Sequence, residues 1–208
     1  MTQQQIVAEL APHGVLRAAI NMGNFLLVTG RTPSGDPDGC SPDMARAIAA
    51  SLGVPVQFVP YAKPGELADD AENDKWDIGN IGAEPSRAEK IEFTAAYVEI
   101  EATYLVPAGS PIKSIAEVDV KGNRIAVTAR SAYDLWLDRG IKHATLIRGN
   151  PKFRQRALHA DGPRRQIDSP DIRGHASGQP LTRRAAWQIH ALQRIEDGFG
   201  WAFQHRAF

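Results

Sequence analysis

Over its first 150 residues the chain alternates short apolar runs with stretches whose apolar positions recur every three or four residues. Val15–Ile20 is such a run and predicts a strand. Met44, Ile48 and Leu52 fall on one helical face, with Ser41 as cap and Pro42 at the first helical position. Gly53 closes that helix, and Val54–Val59 follows as a second strand. Pro64–Asn73 reads as a polar surface helix and Asp77–Ile81 as a third strand. Arg87 opens a short helix, and a long apolar strand then runs back through Tyr97 to Pro107, its part Ile100–Val106 leading out of the first globular part. Further on, Arg124–Val127 and Ala144–Ile147 read as strands flanking a helix over Ala132–Arg139. Strand–helix alternation of this kind predicts an α/β architecture with a largely parallel sheet.

Composition narrows the partners. Formal net charge is zero over 208 residues, so nothing in the balance favours nucleic acid or an anionic membrane. A single cysteine, Cys40, excludes an internal disulfide and a cysteine metal cluster. The six histidines are scattered, so no metal site is expected, and no cofactor is implied. No run of eighteen apolar residues exists, so no membrane insertion is expected. The opening MTQQQIVAELAPHG has neither a basic start nor an apolar core, and reads as no secretory leader.

After Asn150 the text changes character. Residues 151–208 hold 10 Lys and Arg against 5 Asp and Glu, where the first 150 hold 14 against 19. Clear strand patterns vanish there. A basic tail for an anionic partner is one reading. The preferred one is an out-of-frame translation, in which permitted codons for Pro151 to Gln166, shifted by one base, spell RSSGSALFTRTDLDA.

Four segments in order carry a resemblance. They are GVLRAAINMGNFLLVTGR, PDGCSPDMARAIAASLGVPVQFVPY, WDIGNIGAEPSRAEKIEFTAAYVEIEATYLVP and SPIKSIAEVDVKGNRIAVTARSAYDLWL. Together they resemble the polar-amino-acid family of bacterial solute-binding proteins, the receptors that feed ABC transporters. The resemblance spans residues 13 to 148. It implies a periplasmic-binding-protein-like α/β fold of two lobes joined by a hinge near Pro107–Ser110. The expected division is 1–107 for the first lobe, 108–150 for the start of an incomplete second lobe, and 151–208 for the atypical tail. It also implies a monomer, an amino-acid-like or carboxylate ligand bound between the lobes, a transporter permease as partner, and a periplasmic location; the missing leader leaves a cytoplasmic location as the alternative.

The same resemblance places the ligand contacts. Arg87 stands where the family's arginine grips the ligand's α-carboxylate, a task suited to the planar guanidinium fork. Glu84 stands where the family has Thr; it either weakens that grip or receives a ligand ammonium. Asn24 and Phe25 lie in the loop after the first strand. Asn80 and Gly82 lie at the carboxyl end of the third strand, where ligands of open α/β sheets gather. In the second lobe, Arg130, Ser131 and Tyr133 sit where a strand turns into a helix; Arg130 replaces the family's Gly. For these three, a capped helix beside a solvent-facing arginine is an equal alternative.

No nucleotide-binding glycine fingerprint and no nucleophile elbow is found, so no catalytic residue is named. The competing readings are an enzyme resembling cyclohexadienyl dehydratases, with Glu84 and Arg87 in acid–base roles, and an inactive truncated gene product.

Overall fold

The computed structural model describes residues 2–100, 104–107 and 109–149, together with the backbone of strands at 164–167 and 200–206. Two compact units divide the chain: Met1–Glu99 with Gly200–Phe208, and Ile100–Phe199.

The first unit begins with α1 (Gln3–Leu10), held by a capping box between Thr2 and Gln5. Strand β1 (Leu16–Asn21) is buried at every position but Arg17, as befits a central parallel strand covered on both faces. A small hairpin of β2 (Gly30–Arg31) and β3 (Pro37–Asp38) leads into α2 (Cys40–Leu52). Then come β4 (Val56–Tyr61), α3 (Pro64–Asp69), β5 (Ile78–Gly82), the one-turn α4 (Pro85–Ala88) and β6 (Ile91–Glu99). Strand β1 lies parallel to β4 on one side and to β5 on the other, with Ile20 in register with Asn80. Above the sheet, Ala45 and Ala49 of α2 pack on Leu16, Ala18 and Ile78, flanked by Ile48, Leu52 and Phe58. Beneath it, Ala19, Leu67, Ala71, Trp76, Ile81 and Ile91 form the second half of the core.

The second unit contains β7 (Tyr104–Pro107), β8 (Arg124–Thr128), α5 (Ala132–Gly140), β9 (Thr145–Gly149) and β10 (Arg164–Ile167). Strands β8 and β9 are parallel and joined by α5, while β7 and β10 are antiparallel. Tyr104, Val118, Ile125, Val127 and Leu137 form its core. The last strand, β11 (Gly200–Arg206), belongs to the first unit, whose sheet runs β4-β1-β5-β11-β6.

Several expectations are corrected. Helix α2 is capped by Gly39, not Ser41, because the hydroxyl of Ser41 is bonded to Tyr97 rather than to the first turn. The segment 64–73 is no polar surface helix. It is α3 followed by a tight turn, and both bury an apolar side chain, Leu67 and Ala71. The run toward Pro107 is two strands, β6 and β7, not one. Two strands, β10 and β11, stand in a tail whose text showed no strand pattern; their order comes from pairing with β7, β5 and β6. The frame-shifted reading of 151–208 otherwise falls on residues outside those described.

Candidate functional site

Ser41, in the first turn of α2, meets β5, β6 and the loop after β1. Asn80, only 2% exposed on β5, donates from Nδ2 to the Ser41 carbonyl at 3.0 Å. The Ser41 amide donates to the Leu27 carbonyl at 3.0 Å, and its hydroxyl lies 2.9 Å from the Tyr97 hydroxyl on β6. Burial pushes the Tyr97 phenol up to about 12, with the Ser41 bond pulling the other way. Ser41 is therefore fastened from three sides, and its amide ties the loop after β1 to the start of α2. The loop's own turn is closed by the Asn24 carbonyl, which accepts from Leu27 and Val28 at 3.1 and 2.8 Å.

Asn24 also accepts from the Leu26 amide through Oδ1 at 3.3 Å, which fixes its carboxamide with Nδ2 buried and without a hydrogen-bond partner. Phe25 is half-buried, whereas Leu27 and Val28 are core residues, so the apolar run FLLV divides between loop and core.

Glu84 and Arg87 lie in the turn that follows β5. Glu84 precedes α4 as its cap residue, with Pro85 at the first helical position. Arg87 is the third residue of this helix rather than its opening one. Its amide donates to the Glu84 carbonyl at 2.9 Å, and its Nη1 donates to the Gly82 carbonyl at 2.8 Å. Both charged side chains are buried, at 2% and 5% exposure. A buried carboxyl group and a buried guanidinium thus share one turn, and burial strengthens any charge-assisted bond made there.

In the second unit the three named residues form a helix start. Arg130 is exposed with φ 57, the left-handed conformation that explains why a glycine suits this position. Its amide donates to Asp134 Oδ2 at 2.7 Å. The Ser131 hydroxyl accepts from the Asp134 amide and donates to the Thr128 carbonyl, so it works as a helix cap. Tyr133 packs against the Leu137 core. Arg148 pairs with Asp134 at 2.7 Å and with Asp138, fastening β9 to α5.

Ser41 and Tyr97 at the junction were not named as site residues from the sequence. Nothing but the sheet topology brings positions 41, 80 and 97 together. Among the described residues, no group of three His, Cys, Asp or Glu could hold a metal ion. No helix among them is long and apolar enough to cross a membrane.

Solved structures show the same two-lobed periplasmic-binding-protein fold. An ancestral amino acid-binding protein, a precursor of cyclohexadienyl dehydratase, matches at TM-score 0.70 and 21% identity over 97% of this chain and 86% of its own. An amino acid ABC transporter substrate-binding protein from Streptococcus pneumoniae, bound to L-arginine, matches at TM-score 0.69 and 18% identity over 99% and 85%. A putative binding component of an ABC transporter from Wolinella succinogenes, complexed with lysine, matches at TM-score 0.61 and 22% identity over 73% and 67%. No curated protein matches the chain. The family model of the bacterial extracellular solute-binding proteins, family 3, matches residues 23–190, and the chain belongs to that family.

Proposed function

We propose that this protein captures a small amino-acid-like or carboxylate solute, and does so without transforming it, as the binding component of an ABC transporter. The observation that carries this reading is the buried Arg87 at the carboxyl end of β5, with buried Glu84 opening the same turn. The guanidinium takes the ligand's carboxylate, with Nη1 steadied on the Gly82 carbonyl. Asn24 and Phe25 of the loop after β1, with Asn80 and Gly82 of β5, complete the first-lobe contacts. Arg130, Ser131 and Tyr133, at the start of α5, are the candidate contacts of the second unit. The solved relatives with arginine or lysine bound support amino acids as the first ligands to try. The partner is a transporter permease, the protein acts as a monomer, and the location is extracytoplasmic. Isothermal calorimetry with basic, acidic and polar amino acids tests the reading; silence toward all of them sinks it.

A second reading is favoured by one feature, the buried carboxylate of Glu84 beside an arginine in the same turn. A carboxyl group in that setting is suited to proton transfer in a dehydratase. Turnover of prephenate or arogenate separates this reading from capture alone.

A further inference from the structure

We infer that Asp134 is a positioning residue of the ligand site, holding Arg130 and Ser131 in the shape in which they meet the ligand. The inference rests on the capture reading above and goes beyond it, since Asp134 acts through its neighbours. Arg130 has φ 57, a left-handed conformation that any side chain makes costly. Strain of this kind persists only where the surroundings enforce it, and it gathers at ligand clamps. Asp134 supplies the enforcement. It is buried, and its Oδ2 accepts from the Arg130 amide at 2.7 Å. Its own amide donates to the Ser131 hydroxyl at 3.2 Å, and that hydroxyl donates to the Thr128 carbonyl at 2.8 Å. One residue thus grips two candidate contacts, the first through its carboxylate and the second through its amide.

The backbone on either side is tied to backbone. The Ala129 amide donates to the Gly149 carbonyl at 2.9 Å and the Ser131 amide to the Thr128 carbonyl at 3.2 Å. The Arg130 amide between them goes to a side chain instead, so the strained position depends on where that carboxylate is held. Strand β9 holds it: Oδ1 accepts from Arg148 Nε at 2.7 Å, and Arg148 also reaches Asp138 one turn along α5. Without the carboxylate the turn relaxes, and the ligand must restore it at the expense of its own affinity. A plain helix cap would stabilise α5 and leave affinity unmoved, so affinity is the quantity to read.

The test compares Asp134→Ala with Arg148→Gln in the full chain, by calorimetry with L-arginine, L-lysine and L-glutamate as probes. Both variants break the ion pair, so both lose stability in denaturant unfolding. Asp134→Ala is expected to bind about tenfold more weakly, the cost of one left-handed residue repaid at binding. Arg148→Gln leaves Asp134 on the Arg130 amide and should bind like the parent. Hydrogen exchange on the parent decides the matter where the alanine variant fails to fold: the Arg130 amide should exchange more slowly once a probe is bound. Equal affinity losses in the two variants, parent-like affinity in Asp134→Ala, or exchange at Arg130 indifferent to the probe overturns the inference and leaves the capture reading standing. A parent that binds none of the probes overturns both.

Discussion

Arg17 and Asp77 clasp each other twice, once through side chains and once through their backbones. The guanidinium meets the carboxylate with Nη2–Oδ1 at 2.6 Å and Nε–Oδ1 at 3.1 Å. The Arg17 amide donates to Asp77 Oδ2 and the Asp77 amide to the Arg17 carbonyl, both at 2.8 Å. A third partner, Asp74, accepts from Arg17 through its carbonyl and its carboxylate. The pair closes the amino ends of β1 and β5, at the opposite end of the strands from Asn80 and Arg87. Removing the Asp77 carboxylate leaves part-buried Arg17 with Asp74 as its remaining partner, so Asp77→Ala should cost about 1.5–3 kcal/mol in denaturant unfolding, the range for a charge-assisted bond. The bond to Asp77 raises the Arg17 pKa above the ordinary arginine value. A raised value gives stability that is complete below that point and lost only above it, so the contribution is flat across ordinary pH. A loss below about 1 kcal/mol for Asp77→Ala would show the pair to be ornamental.

Removing the carboxylate grip should weaken ligand binding far more than it weakens the fold. Arg87→Ala is expected to lose about 2–5 kcal/mol of affinity, the range for truncating one partner of a buried charge-assisted bond. Arg87→Lys should recover only part, because an ammonium lacks the planar fork. The bond to the Gly82 carbonyl also disappears, so unfolding of the ligand-free variant must be followed alongside. Full affinity in the alanine variant would take Arg87 out of the site.

The hydroxyl pair of Ser41 and Tyr97 makes a third prediction. Tyr97→Phe removes one partly buried hydrogen bond and should cost about 0.5–1.5 kcal/mol. The Tyr97 phenol, held up to about 12 against an ordinary 10.0, is raised in the folded state. Its stabilisation is therefore complete below pH 10.0 and is lost as pH climbs toward 12. A spectrophotometric titration should find one fewer tyrosine ionising late in the phenylalanine variant. An unchanged late phase would place the delayed titration elsewhere.

Local text made the βα alternation readable, because each element carries its own signal. The helix stop at Gly53 is one case: φ 72 is a conformation glycine adopts without strain. The start of α2 was misread because Ser41 has the chemistry of a cap, yet its hydroxyl is drawn to Tyr97, 56 residues away. The same limit applies to Asn80, whose partner is a carbonyl 39 residues distant. Arg87 was singled out on its neighbours in sequence, but its bond to Gly82 depends on how tightly α4 turns back on β5. Pairings across a sheet are set by register, and register leaves no mark on a single segment.

Acid should loosen the second unit through Asp119. Its carboxylate accepts from the backbone amides of Lys142, His143 and Ala144 at 2.9, 2.7 and 2.8 Å. The Ala144 bond, followed by that from Lys142, holds its pKa below the usual 3.8. A depressed value gives stability that is present above pH 3.8 and lost as pH falls through the folded value. Asp119→Ala should therefore flatten the acid limb of the unfolding curve, read by circular dichroism between about pH 5 and 2. An acid limb identical to the parent's would remove Asp119 as its source.

Gly39 offers the sharpest test of how the candidate ligand loop is held. Its φ of 125 and ψ of −175 lie where only glycine sits without strain. An added Cβ would stand 2.7 Å from the Leu27 carbonyl oxygen and 2.9 Å from the Thr29 nitrogen. Both are backbone atoms, so neither can swing aside as a side chain would. Gly39→Ala must therefore shift the loop off the start of α2, and the Ser41–Leu27 hydrogen bond goes with it. Gly53→Ala is the matched control. Gly53 also has positive φ, at 72, but a Cβ there meets nothing within 4 Å. Its cost should be the left-handed penalty alone, about 1–2 kcal/mol. Gly39→Ala should exceed it in denaturant unfolding and also weaken amino-acid binding, because Asn24 and Asn80 are both registered on that junction. Gly53→Ala should leave binding intact. Equal costs for the two variants, with binding untouched in both, would mean that the loop is not held by its approach to Gly39.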